Sequence, residues 1–75
     1  MSTPPKTLDA RQRFASNLRR WRMVRGITQQ YVAEHSGLSR VYISKVENSS
    51  ASVSIDAMEK IAIVLSIDVA ELLAL

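Results

Sequence analysis

Cysteine is absent from this 75-residue chain, and that excludes a disulfide framework and any thiolate metal site. Small extracellular domains commonly rely on one or the other, so the composition suits a reducing, cytoplasmic setting. Two glycines and two prolines leave little material for hairpin turns, which points to an all-α fold. The run Ile61 to Ile67 is far too short to span a membrane, and the N-terminus has no apolar core of a signal peptide; no membrane partner is expected. The single histidine, His35, has no cysteine and no acidic pair beyond Glu34 with which to build a triad or a metal site. The length excludes a two-lobed enzyme. No catalytic activity, cofactor or metal is therefore expected.

What is present is a lopsided charge. Residues 1–45 hold Lys6, Arg11, Arg13, Arg19, Arg20, Arg22, Arg25, Arg40 and Lys45 against Asp9 and Glu34, a balance of +7. Residues 46–75 hold Lys60 against Glu47, Asp56, Glu59, Asp68 and Glu71, a balance of −4. A basic front half suits a polyanion, nucleic acid first among them, although charge counting alone favours a solvated arginine face.

Hydrophobic residues make up 47% of the chain, enough for one compact core. Residues 1–8, with Ser2-Thr3-Pro4-Pro5, carry no helical pattern and read as a flexible tail; residues 9–75 read as one domain. Asp9 is an N-cap candidate for a helix running to about Arg25, where Gly26 supplies a left-handed stop. Phe14, Leu18 and Trp21 recur at helical spacing, so Trp21 reads as core. Thr28 caps a second helix ending near Ser36 and Gly37, and Ser39 caps a third running to about Asn48. The stretch from Asn48 to Ser54 reads as a loop, because small hydroxyl residues bond their own backbone. Ser54 caps a fourth helix with Ile55, Met58, Ile61, Ala62 and Leu65 on its apolar face. Asp68 and Glu71 match a capping box for a short fifth.

The segment Thr28 to Asn48 is a helix-turn-helix pattern. Ala33 lets two helices approach, Gly37 turns the chain sharply, and Ile43 and Val46 anchor the second helix while Arg40, Val41, Ser44 and Lys45 point outward. Cationic and hydroxyl groups on an exposed helix match base edges and phosphates in a major groove. Together with Leu18, Arg22, Gly26, Thr28-Gln29, Val32-Ala33, Gly37-Leu38-Ser39, Ile43-Ser44, Glu47, Ser54-Ile55, Met58, Ile61-Ala62, Leu65 and Leu72, this stretch resembles the Cro and repressor-like, or XRE, helix-turn-helix family over about Phe14 to Leu73. The run Arg40–Ser44 is also similar to the recognition helix of controller proteins, small dimeric regulators of restriction–modification operons.

The resemblance implies a five-helix, lambda-repressor-like fold and a transcriptional regulator that binds a pseudo-palindromic operator, its own promoter included. It assigns base contacts to Arg40, Val41, Ser44 and Lys45, and phosphate contacts to Gln29, Ser39, Tyr42, Asn48, Ser50 and Ser52. It makes Arg22 and Glu47 a structural salt bridge. Tyr31 departs from the family pattern where an acidic residue often completes the cap after Thr28, and Ser49 to Ser52 replace a glycine and a basic residue usual in the loop. Apolar residues remain after the core is filled, among them Ile63, Val64, Ile67, Val69, Leu73 and Leu75. The resemblance places a homodimer seam on the fourth and fifth helices, through Ile63, Val64, Ile67, Val69 and Leu73. RNA polymerase is a further partner if the regulator activates. Two other functions stay open at this point: an antitoxin that uses the same fold to bind a protein, and a non-specific nucleic-acid binder.

Overall fold

Every helix of the domain begins at a side chain that accepts a hydrogen bond from its first turn. The computed structural model describes residues 9–75, and the tail expected at residues 1–8 lies outside them. The order is α1 (Ala10–Arg25), α2 (Gln29–Ser36), α3 (Arg40–Glu47), α4 (Ile55–Leu65) and α5 (Val69–Leu73). Asp9 accepts from the Gln12 N–H at 2.8 Å while the Gln12 side chain accepts from the Asp9 N–H at 3.2 Å, a reciprocal capping box. Thr28, Ser39 and Ser54 cap α2, α3 and α4 from their hydroxyl oxygens, each at 3.0 Å. Such a cap is worth about 1 kcal/mol. At α5 the anticipated box with Glu71 is not the bond formed: Asp68 accepts from the Ala70 N–H at 2.8 Å, one residue earlier, in a helix of only five residues.

α1, α2 and α4 end on left-handed residues, α3 has one immediately after its cap, and α5 ends on extended Ala74. Gly26 and Gly37 sit at φ +67° and +76°, which a glycine adopts without steric cost. Ser66 ends α4 at φ +57° and Ser49 follows α3 at φ +61°, so two serines hold a backbone geometry that favours glycine.

α1 lies along α3 and α5, α2 packs against α3 and α4, and α4 supports α5. Phe14, Leu18, Val32, Ile43, Val46, Ile61, Leu65 and Leu72 are fully buried where these elements meet. Each such side chain contributes roughly 1.5–3 kcal/mol through removal from water. Two apolar assignments shift. Ile55, at the first position of α4, faces solvent and Ala57 takes the inward place. Trp21 lies at the edge of the core, half-buried; its indole N–H has no hydrogen-bond partner among the described residues, and the Arg25 guanidinium stacks 5.1 Å from its ring.

The polar face of α1 fastens the C-terminal ends of α4 and α5. Asn17 is buried and donates from Nδ2 to the carbonyls of Leu72 and Ala74, at 3.1 and 2.8 Å. Arg13 donates from Nε to the Leu73 carbonyl at 3.1 Å, and Arg25 to the Leu65 carbonyl at 2.8 Å. Carbonyls at helix C-termini have no intrahelical donor, and a guanidinium both satisfies them and offsets the negative end of the helix dipole. Arginines that sequence counting assigned to a polyanion are thus partly internal fastenings. No described helix is long and apolar enough to cross a membrane.

Candidate nucleic-acid interface

The turn between α2 and α3 is built tightly. Gly37 donates its N–H to the Ala33 carbonyl at 3.0 Å, the Ser36 hydroxyl donates to the same carbonyl at 3.3 Å, and the Leu38 N–H donates to the Ser36 hydroxyl at 3.2 Å. Ala33 is buried, and its methyl leaves room for the helices to meet. Ile43 and Val46, both buried, pin α3 from its inner side. With Ile43, Val46 and Glu47 of an eight-residue helix buried, the outward face is fixed as well.

That face carries the expected quartet. Arg40, Val41, Ser44 and Lys45 line one shallow depression. Arg40 and Lys45 are exposed, Val41 keeps 65% of its surface open, and Ser44 is half-buried. Arg40 also borders a second hollow, shared with Thr28, Gln29 and Gln30, between the N-terminal ends of α2 and α3. Between Arg11 and Lys45 the other arginines are all occupied: Arg11 on Ser52, Arg13 on Leu73, Arg19 and Arg22 on Glu47, Arg20 on Asn17, Arg25 on Leu65. Arg40 and Lys45 are the cations of that stretch with no partner among the described residues. An unpaired cation beside an exposed apolar side chain is the chemistry that reads a guanine edge and a thymine methyl.

Beneath this face is a buried ion pair. Glu47, whose side chain is 2% exposed, accepts from Arg22 Nε at 2.6 Å and from Arg22 Nη2 at 2.9 Å in a two-pronged contact. The third prong of the Arg22 guanidinium donates to the Ile27 carbonyl at 3.1 Å. Gln29 adds a bond to the same carboxylate at 3.2 Å, and Arg19 Nε stands 3.8 Å away. Hydrogen bonding to Glu47, with the carboxylate's charge beside it, holds the Arg22 guanidinium above its ordinary value despite partial burial. The pair joins α1 to the end of α3.

The six expected phosphate contacts divide by what their hydrogens already do. The Tyr42 hydroxyl donates to the Ser52 carbonyl at 3.0 Å and the Ser50 hydroxyl to the Lys45 carbonyl at 3.1 Å, so both protons are engaged inside the domain. Gln29 has committed one amide hydrogen to Glu47 and is half-buried. Ser39 and Ser52 act only as acceptors, from the Tyr42 N–H and from Arg11, and keep a hydroxyl proton to offer. Asn48 is exposed at the end of α3. Arg11 and Arg19 beside this loop were not among the sequence candidates, because tertiary folding alone brings the start of α1 next to residues 48–52.

The expected dimer residues also separate. Val64, Ile67, Val69 and Leu73 are half-buried and pack on the core of their own chain, whereas Ile63 and Leu75 remain 76% and 89% exposed. Elsewhere, no group of acidic, histidine or cysteine side chains among the described residues has the makings of a metal site. His35 is exposed, stacked on Tyr31 with ring centres 3.8 Å apart.

A family model described as helix-turn-helix matches residues 18–72. The control protein C.SmaI of Serratia marcescens is 33% identical over 66 residues, which cover 88% of this chain and 79% of that protein. Among solved structures, the restriction–modification controller protein C.AhdI of Aeromonas hydrophila superposes with a TM-score of 0.80 at 35% identity, covering 83% of this chain and 94% of that one. A hypothetical transcription factor from Neisseria superposes with a TM-score of 0.87 at 31% identity, covering 99% of this chain and 85% of that one.

Proposed function

The chain belongs to the helix-turn-helix family of DNA-binding transcriptional regulators, and on that footing we propose that it acts as a controller-like homodimer on a pseudo-palindromic operator, its own promoter included. It is not an enzyme. The single observation that carries the proposal is the outward face of α3, where Arg40 and Lys45 have no partner among the described residues and stand beside exposed Val41.

In this reading α3 enters the major groove, and Arg40 at its first turn bonds the O6 and N7 of a guanine as a pair. Val41 packs on a thymine methyl, and Ser44 and Lys45 reach neighbouring bases. Ser39 and Ser52 donate to the sugar–phosphate walls with their hydroxyl protons, Gln29 with its second amide hydrogen and Asn48 with its side-chain amide, whereas Tyr42 and Ser50 reach a phosphate only by releasing the Ser52 and Lys45 carbonyls that hold their protons. One helix of eight residues touches too few bases for regulatory affinity, so a second copy is required. Two-fold pairing through Ile63 and the adjoining edges of Val64, Ile67, Val69 and Leu73 sets the two recognition helices about 34 Å apart, one turn of B-DNA. The regulator works in the cytoplasm, where its DNA is.

A salt titration tests this. Duplexes selected from a random pool are expected to stay bound at salt concentrations that release random duplex, with two chains per complex. A protein that binds all duplexes alike is a non-specific binder, and one that binds none while capturing a protein partner is an antitoxin; either result displaces the proposal.

A further inference from the structure

The loop that follows α3 carries no lysine or arginine between Asn48 and Ser54, yet it stands where the outward stripe of α3 runs out. An eight-residue helix is about 12 Å long, close to the roughly 12 Å width of the major groove, so each end of α3 meets a phosphate wall. Helical spacing continues Ser44 into Asn48 and Lys45 into Ser49. Both residues border a polar crevice whose opposite wall is α1, through Gln12, Ser16 and Arg19.

We infer that Arg11 and Arg19, about two turns apart on α1, supply the phosphate-binding charge for this end of the interface. The inference rests on the DNA reading above and extends it to a helix outside the helix-turn-helix unit.

The donors are already oriented. Arg19 is anchored by one bond from Nη2 to the Glu47 carbonyl at 3.1 Å while 56% of its side chain is open to solvent. A guanidinium has five N–H groups, so most remain for an anion. Gln12, exposed and on the same crevice, uses only its carbonyl oxygen on the Asp9 N–H, so that bond leaves its amide hydrogens unspent. Arg11 donates from Nη2 to the Ser52 hydroxyl at 3.0 Å, and Ser52, as the acceptor, has its own proton free. A guanidinium and a hydroxyl side by side form a charge-assisted pair of donors suited to one phosphate. The acidic groups nearby are both engaged: Glu47 is matched by the two-pronged Arg22, and Asp9 is held in its helix cap. Arg20 projects on the other side of α1, bonded to Asn17.

The test is binding to a random-sequence duplex, followed by fluorescence anisotropy across a salt series, which does not depend on knowing an operator. Each phosphate contact adds about 0.9 to the slope of log K against log salt, so Arg11→Ala and Arg19→Ala are each expected to flatten it by about 0.9 and the double variant by about 1.8. Arg20→Ala removes the same charge elsewhere on the helix and is expected to leave the slope at the parent value. Because Arg19 also caps α3, Ser16→Glu provides a variant that breaks no bond of the fold; it is expected to weaken binding, less so as salt rises, with an unchanged melting temperature. A double variant with the parent slope, an Arg20→Ala slope as flat as that of Arg11→Ala, or unaltered binding by Ser16→Glu overturns the inference and leaves the role of α3 intact. A parent protein that binds no duplex overturns the DNA reading itself.

Discussion

Replacing Glu47 with alanine tests how far the interface depends on the ion pair beneath it. The substitution removes the acceptor of two Arg22 bonds at 2.6 and 2.9 Å and of the Gln29 bond at 3.2 Å. Arg22, only 17% exposed, is left with the Ile27 carbonyl and an uncompensated charge. Breaking one partner of a buried pair costs about 3–5 kcal/mol, and the residual exposure and surviving carbonyl bond of Arg22 favour the lower end, roughly 3 kcal/mol. A domain of 75 residues has a total stability of roughly 4–11 kcal/mol, so this is a large share. At about 4–8 °C per kcal/mol for a domain of this size, the melting temperature is expected to fall by about 12–24 °C. Thermal and urea unfolding followed by circular dichroism measure it. The double replacement Arg22→Met with Glu47→Leu removes both charges and is expected to recover most of the loss. Equal melting temperatures for Glu47→Ala and the parent, or a double variant less stable than the single one, would refute the reasoning.

Three further outcomes follow from the same structure. Ser49→Gly, which relieves a serine at φ +61°, is expected to stabilise by roughly 0.5–1 kcal/mol, and Gly37→Ala, at φ +76° with open space around the new methyl, to destabilise by about 1 kcal/mol; a destabilising Ser49→Gly or a stabilising Gly37→Ala in urea melts would contradict the backbone assignment. Ile63→Lys is expected to yield a folded monomer by sedimentation, since that side chain is 76% open in the single chain, and a persistent dimer would place the seam elsewhere. The Arg22 guanidinium is held above its ordinary value by the Glu47 carboxylate, so its contribution is complete from neutral pH up to the arginine range and is lost only as pH climbs past that range. A difference in melting temperature between parent and the double Arg22→Met, Glu47→Leu variant is therefore expected to stay level from neutral to mildly alkaline buffer; a shrinking difference would show that another group sets it.

Much of this arrangement was legible in the chain because it is local. Thr28, Ser39 and Ser54 cap helices for reasons confined to a few residues, and Gly26 and Gly37 end them for the same kind of reason. The outward placement of Arg40, Val41, Ser44 and Lys45 follows once Ile43 and Val46 are inward, since 3.6-residue periodicity fixes one from the other. What stayed hidden depends on distant pieces of chain. Arg13, Asn17 and Arg25 look like a solvated stripe until α4 and α5 bring their unsatisfied carbonyls alongside. Tyr42 looks like a free hydroxyl until the loop returns and offers the Ser52 carbonyl, ten residues on. The surplus of apolar residues near the C-terminus was visible, but its division between the chain's own core and an open surface at Ile63 and Leu75 was not.

The proposal stands or falls on α3 reading bases, and one comparison addresses that alone: selection of bound duplexes from a random pool by the parent and by Arg40→Ala. A base-reading Arg40 gives a symmetric preferred sequence from the parent and loss of preference at one symmetric pair of positions in the variant, at about 1–3 kcal/mol per contact. Uniform weakening with every preference retained would make Arg40 a phosphate contact, and no preferred sequence from the parent would contradict base reading by α3 outright.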